Sequence, residues 1–164
     1  GVSKTYSMTG WRIGWICAPK DIADAVDNLQ SHSTSNPTSF AMPGAVEALR
    51  CKQDFLKEMK DAFNQRRIFM CGELSKIKGF EVAYPDGAFY VFPKVSDIYG
   101  KSFNGKKIKN CGDFAEILLE EKQTAIVPGD GFGAPDYIRL SYATSMENIK
   151  KGVDRIREFV ENLF

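Results

Sequence analysis

Lys4 and Arg12 stand eight residues apart in a run of mostly small and polar residues, Gly1-Val2-Ser3-Lys4-Thr5-Tyr6-Ser7-Met8-Thr9-Gly10-Trp11-Arg12-Ile13-Gly14. A lysine amine suits attack on a carbonyl, because its pKa falls readily when it is desolvated or placed beside another positive charge. An arginine suits a fixed anion such as phosphate, because its planar fork binds oxygens in pairs and never loses its proton. Taken singly, each has a plainer reading: the lysine as a solvated charge near a chain terminus, the arginine as a surface ion-pair partner. Eight extended residues reach about 26–29 Å, so the chain must double back if both are to act on one small ligand. Ser7, Thr9 and Gly10 are turn-compatible residues at the place where it would do so, and Gly10 is free to take a positive φ.

A third cation, Arg139, lies in Tyr137-Ile138-Arg139-Leu140-Ser141-Tyr142-Ala143. Ile138, Leu140 and Tyr142 alternate and define one strand face, with Arg139 on the other. By itself this is an arginine at a sheet edge making a structural ion pair. The run Pro128-Gly129-Asp130-Gly131-Phe132-Gly133 invites comparison with phosphate-binding glycine loops. It leads through Ala-Pro into another strand, with no helix N-terminus to receive an anion, and is read as a loop rimming a site. Asp86-Gly87-Ala88-Phe89-Tyr90 reads as a tight turn feeding a packed strand, and His32 as a loop residue with no carboxylate or nucleophile near it in sequence.

The first fourteen residues closely resemble, position for position, the cofactor-lysine signature of the class I aminotransferases of the aspartate aminotransferase family. The Arg139 strand is similar to the strand of that family whose arginine grips the substrate α-carboxylate. Ser35-Asn36-Pro37-Thr38-Ser39 resembles its loop between two large-domain helices, and Asp86–Tyr90 another of its segments. The resemblance runs through essentially the whole chain and implies an α/β fold of the fold-type-I pyridoxal-phosphate class, with an α+β small domain. Residues 1–48 would be the end of the large domain, and residues 49–164 the small domain with its long connecting helix.

The resemblance further implies pyridoxal 5'-phosphate as cofactor. Lys4 would be catalytic, forming the Schiff base and then moving a proton at the substrate α-carbon. Arg12 would anchor the phosphate and Arg139 the substrate carboxylate. The reaction implied is amino-group transfer between an amino acid, aspartate, and a 2-oxo acid, 2-oxoglutarate. Some relatives carry a serine at the position of Gly1, whose hydroxyl contacts the phosphate, so that contact is absent here or comes from elsewhere. Gly1 is not methionine and the signature opens the chain at once, so a C-terminal fragment is expected. The family's acidic partner of the pyridine nitrogen, its ring-stacking residues and a phosphate contact from a second subunit precede the lysine. The fragment alone is therefore expected to be inactive and the intact protein to be a homodimer. Two other readings fit the same motifs: a β-lyase or related enzyme of the fold, and a non-catalytic aminotransferase-like regulatory domain.

Several elements would position these residues. Residues 11–17 read as an apolar strand, and Pro19 with Asp21 opens a helix along Ile22, Val26 and Leu29. Ser31–Ser39 reads as polar loop, and Pro43 lies near the first turn of another helix. Phe55, Met59, Phe63, Met70, Leu74 and Ile77 give a long amphipathic helix from about 53 to 77, with Gly79 as its stop. Residues 81–83 and 88–92 read as a hairpin about Tyr-Pro-Asp-Gly. Asp113 and Glu116 read as a capping pair ahead of a helix, and residues 124–127 and 137–142 as strands. A last helix starts at Ser145 and packs through Ile149, Val153, Ile156, Val160 and Leu163.

Lysine and arginine number 22 against 21 aspartate and glutamate, a net charge of +1 that gives no reason to expect a nucleic acid or a membrane surface as partner. Cys17, Cys51, Cys71 and Cys111 form no Cys-x-x-Cys pair, and His32 is the one possible imidazole ligand, so no metal site is expected. The cysteines read as reduced, mostly buried thiols of a cytoplasmic protein.

Overall fold

Pro19 closes an extended segment and starts the first helix, α1 (Lys20–Ser33), with Asp21 in the first turn, where a negative charge favours the helix dipole. The computed structural model describes residues 1–164, which form two compact units, Gly1–Met59 and Lys60–Phe164. In the first unit α1 is followed by α2 (Ala41–Arg50). The apolar stripe of α1 forms as spaced but is uncovered within this unit, Ile22 being 51% and Leu29 69% exposed. His32 lies in the last turn of α1 and not in a loop; the helix runs three residues into the stretch expected to be irregular.

The strand expected over residues 11–17 does not form. A single 3-10 turn covers Thr9–Trp11, and the chain then runs unpaired to Pro19. An extended run becomes a strand only when its N–H and C=O groups meet a second strand, and the first unit contains none.

The long helix α3 (Asp54–Leu74) begins in the first unit and ends in the second. Turns carry the chain from Leu74 to Gly79, whose φ of +83° provides the stop a little after the helix itself ends. The expected hairpin over 81–92 is reduced to one bridge between Glu81 and Lys94. Pro85 lacks an N–H and Ala88 takes φ +61°, so no ladder continues towards the turn. Instead β1 (Tyr90–Val91) pairs with the later strand β5.

Strands β2 (Ser102–Phe103) and β3 (Lys106–Lys107) make a hairpin about Asn104-Gly105, where both residues have positive φ, as a two-residue primed turn requires. This hairpin adds to the expected elements. Helix α4 (Cys111–Lys122) is capped one turn earlier than expected: the Asn110 side chain accepts from Asp113 N, and the Asp113 carboxylate accepts from Lys109 N. Short β4 (Val127–Pro128) and β5 (Ile138–Ser141) follow, and the sheet order is β1-β5-β4, all antiparallel.

The last helix, α5 (Met146–Glu161), starts after its cap Ser145 as expected, and Ile149, Val153, Ile156 and Val160 are all buried. They share one core with Ile138 and Leu140 of β5 and with Phe80, Phe103, Phe114 and Phe159, the rings of Phe103 and Phe159 being stacked at 4.5 Å. Cys71 and Cys111 are buried, Cys51 is half-buried and Cys17 exposed, so only two of the four thiols lie inside. No helix is long and apolar enough to cross a membrane.

Candidate active site

The segment carrying Lys4 and Arg12 folds back on itself. Tyr6 N donates to Val2 O, Ser7 N to Lys4 O and Trp11 N to Met8 O, each at 3.2 Å. An ideal Cβ at Gly1 would sit 3.4 Å from the Cα of Gly14, so the two ends of the fourteen-residue segment run side by side. The left-handed residues are Ser7 (φ 54°) and Arg12 (φ 53°), and not Gly10. Such a backbone costs a residue with a Cβ roughly 1–2 kcal/mol, strain that persists only where surrounding packing holds it. The Arg12 guanidinium donates through Nη1 to Thr9 O at 3.0 Å, which spends one of its five N–H groups on a neutral partner. Both Lys4 and Arg12 are exposed.

Helix α2 supplies the packing. Ala41, Gly44, Ala45 and Ala48 recur at helical spacing and form a flat face; Val2 and Met8 are buried against Ala45, with Tyr6, Ile13 and Ala48 around them. Gly44 is the tightest point, since a Cβ there would lie 2.4 Å from Cζ3 of Trp11. The neighbour of Arg12 therefore rests on bare helix backbone. None of these α2 residues was marked out in the sequence; their signal is the run of small side chains at i, i+3, i+4 and i+7.

Arg139 belongs to the second unit. Strand β5 is the centre of its sheet and not an edge, with Arg139 opposite Val127 of β4 and Ser141 opposite Tyr90 of β1. Because side chains alternate, Ile138 and Leu140 enter the core while Arg139 shares the other face with Ser141 and hence with Tyr90. The guanidinium carbon lies 4.4 Å from the Tyr90 ring centre and 4.6 Å from that of Phe132. No carboxylate is within ion-pair distance, so the structural ion pair considered from sequence is not made.

Phe132 sits in the glycine run, which forms a 3-10 turn over Gly129–Phe132. A Cβ at Gly129 would meet Ala134 O at 2.1 Å and Tyr137 O at 2.5 Å, so only glycine fits. The turn is tied down by Gly129 N to Tyr137 O at 2.9 Å and by the Cys111 thiol donating to Asp130 at 3.2 Å. Behind it, Tyr99 donates to Pro135 O at 2.7 Å, and burial, with Cys111 beside it, pushes its hydroxyl far above the ordinary tyrosine range, keeping it a donor. No group of three or more His, Cys, Asp or Glu is placed to hold a metal ion.

The family description that matches this chain is Aminotransferase class I and II, over residues 1–156. The chain belongs to the class I and II aminotransferases. Among relatives of that family, an aspartate aminotransferase of Bacillus subtilis is 46% identical over 161 residues, covering 98% of this chain and 40% of the relative. A probable aspartate/prephenate aminotransferase of Aquifex aeolicus is 46% identical over 163 residues, covering 98% and 40%. Among solved structures, an aspartate aminotransferase from Rhizobium meliloti superposes with a TM-score of 0.95 at 41% identity, covering all of this chain and 41% of that one. An aromatic aminotransferase from Pyrococcus horikoshii gives 0.87 at 32% identity, covering 98% and 42%. The chain thus carries part of the fold-type-I architecture and spans about two fifths of the length of these aminotransferases.

Proposed function

We propose that Lys4, Arg12 and Arg139 are working residues of a pyridoxal 5'-phosphate-dependent aminotransferase that passes the amino group of an amino acid, aspartate, to a 2-oxo acid, 2-oxoglutarate. The observation that carries this reading is the folded-back segment of residues 1–14, which carries an exposed primary amine and an exposed guanidinium in successive turns of a chain of this family. The relatives named as aspartate aminotransferases support the choice of substrate.

The donor set fits the cofactor. Lys4 offers an amine for its aldehyde and Arg12 a fork for its phosphate, both exposed on one folded-back segment. When bound, the cofactor supplies a carbonyl for the lysine and a ring that draws electron density from the substrate α-carbon. Lys4 would hold the cofactor through its Nζ, and the same amine, when not so engaged, would take a proton from the substrate α-carbon and hand it on. Arg12 would fix the phosphate, so that Lys4 would meet a stationary target. Arg139, half-buried and lacking a carboxylate partner, aligns the substrate carboxylate through its fork. Residues 1–48 are assigned to the end of a cofactor-binding large domain, residues 49–164 to a small domain, and the working protein to a cytoplasmic homodimer.

Borohydride reduction of the cofactor-loaded protein, followed by peptide mass analysis, should leave the cofactor mass on the peptide containing Lys4 and none in Lys4→Ala. Aspartate with 2-oxoglutarate should yield glutamate. Attachment at another lysine would overturn the assignment, and release of ammonia and pyruvate from a cysteine conjugate would replace the transaminase with a β-lyase.

A further inference from the structure

The face of the second unit's sheet that carries Arg139 is built of rings. Tyr90 reaches it from β1 through the register Tyr90↔Ser141, and Phe132 reaches it from the 3-10 turn between β4 and β5. Phe132 in turn meets Phe92 edge-on at 6.0 Å, and Phe92 stacks on Tyr137 at 5.1 Å. Phe132 is 52% exposed on a turn held by the Gly129 N to Tyr137 O bond, the Gly133 N to Asp130 O bond at 3.0 Å and the Cys111–Asp130 bond.

Arginine is a long side chain that surrenders much rotamer freedom when it is held in one place. Ring faces attract a guanidinium without occupying its N–H groups in hydrogen bonds, whereas a carboxylate partner would consume the same donors a ligand needs. Two rings at 4.4 and 4.6 Å therefore restrain Arg139 and leave its fork unspent. We propose that Tyr90 and Phe132 are positioning residues that pre-set the Arg139 guanidinium for a planar carboxylate, and so determine how tightly the amino-acid and oxo-acid substrates are held. The inference rests on the reading of Arg139 as the carboxylate anchor.

The test uses the longest natural polypeptide carrying this chain, loaded with pyridoxal 5'-phosphate. Phe132→Leu keeps bulk and removes the ring face, Phe132→Tyr restores a ring, and Arg139→Lys keeps charge and removes the fork. Succinate binding by calorimetry is measured beside KM and kcat. Loss of one cation–π contact at a partly desolvated site weakens binding by about 3–30-fold. Phe132→Leu should raise both the succinate Kd and the KM of each substrate by that factor with kcat within about twofold, and Phe132→Tyr should bring them back. A Phe132→Leu protein with unchanged Kd and KM overturns the proposal while leaving the anchor reading intact, provided Arg139→Lys raises both. If Arg139→Lys leaves them unchanged too, the anchor reading falls and the proposal falls with it.

Discussion

Gly44 of α2 and Gly152 of α5 allow one substitution to be tested against its own control. In a helix interior, alanine is favoured over glycine by about 0.8–1 kcal/mol, and this intrinsic gain is common to both sites. At Gly152 a new Cβ meets nothing within 4 Å. Gly152→Ala should therefore stabilise by about that amount. At Gly44 the Cβ would stand 2.4 Å from the Trp11 ring. Ordinary carbon contacts lie at about 3.5–4.0 Å, so the indole or the turn beneath it must move by roughly 1.1–1.6 Å. Overpacking of this kind costs about 1–3 kcal/mol, which cancels or reverses the helix gain. The two alanine variants should then differ by about 1–3 kcal/mol, a difference that isolates the packing cost because the propensity gain drops out. Urea unfolding read by circular dichroism measures both. The chain's two tryptophans, Trp11 and Trp15, both lie in the first unit, so the emission of Gly44→Ala should also shift to longer wavelength as Trp11 is displaced. A Gly44→Ala protein stabilised as much as Gly152→Ala, with its emission unmoved, would refute the idea that Trp11 rests on bare helix backbone.

Gly129→Ala should be far more damaging, because the atoms in the way are backbone carbonyls at 2.1 and 2.5 Å, which a rotamer change cannot relieve. A loss above about 4 kcal/mol, seen as a collapsed urea midpoint or insoluble protein, is expected, and a near-native midpoint would show that the turn can reopen at little cost. Glu73 is held below its ordinary 4.5 chiefly by the Lys76 hydrogen bond, with Arg157 of α5 also contributing at 2.6 Å. A depressed folded pKa stabilises fully above the unfolded value and loses that contribution as pH falls through the folded one. Glu73→Gln should therefore lower the melting temperature near neutrality and flatten its fall below about pH 4.5, so parallel melting curves between pH 6 and pH 3 would contradict the pairing.

What could be read from the residues depended on whether the signal was local. Helix α5 was legible because Ser145 caps it and four large apolar residues repeat on one face, both within sixteen residues. The return of the lysine segment on itself followed from reach once Lys4 and Arg12 were both assigned to one small ligand. The surface it lies on did not, because Ala41, Gly44, Ala45 and Ala48 carry almost no hydrophobic signal and matter only through the close approach they permit. Residues 11–17 have a strand's composition, but pairing is not a property of one segment, and none of the strands pairs with them. The hairpin at 81–92 is broken at Pro85 and Ala88, and Tyr90 and Val91 pair instead about fifty residues later with Ser141 and Leu140. That non-local pairing is also what brings Tyr90 to Arg139, so the ring contacts could not have been found by scanning along the chain.

Strand β5 is hydrogen bonded along both edges, to β1 on one side and to β4 on the other. The Cα of Arg139 is thus clamped, and any load on the guanidinium is borne by the sheet and, through Ile138 and Leu140, by the core behind it. A grip mounted on a loop would yield and dissipate such a load. Mounted on β5, the guanidinium stands on backbone that is held from both sides.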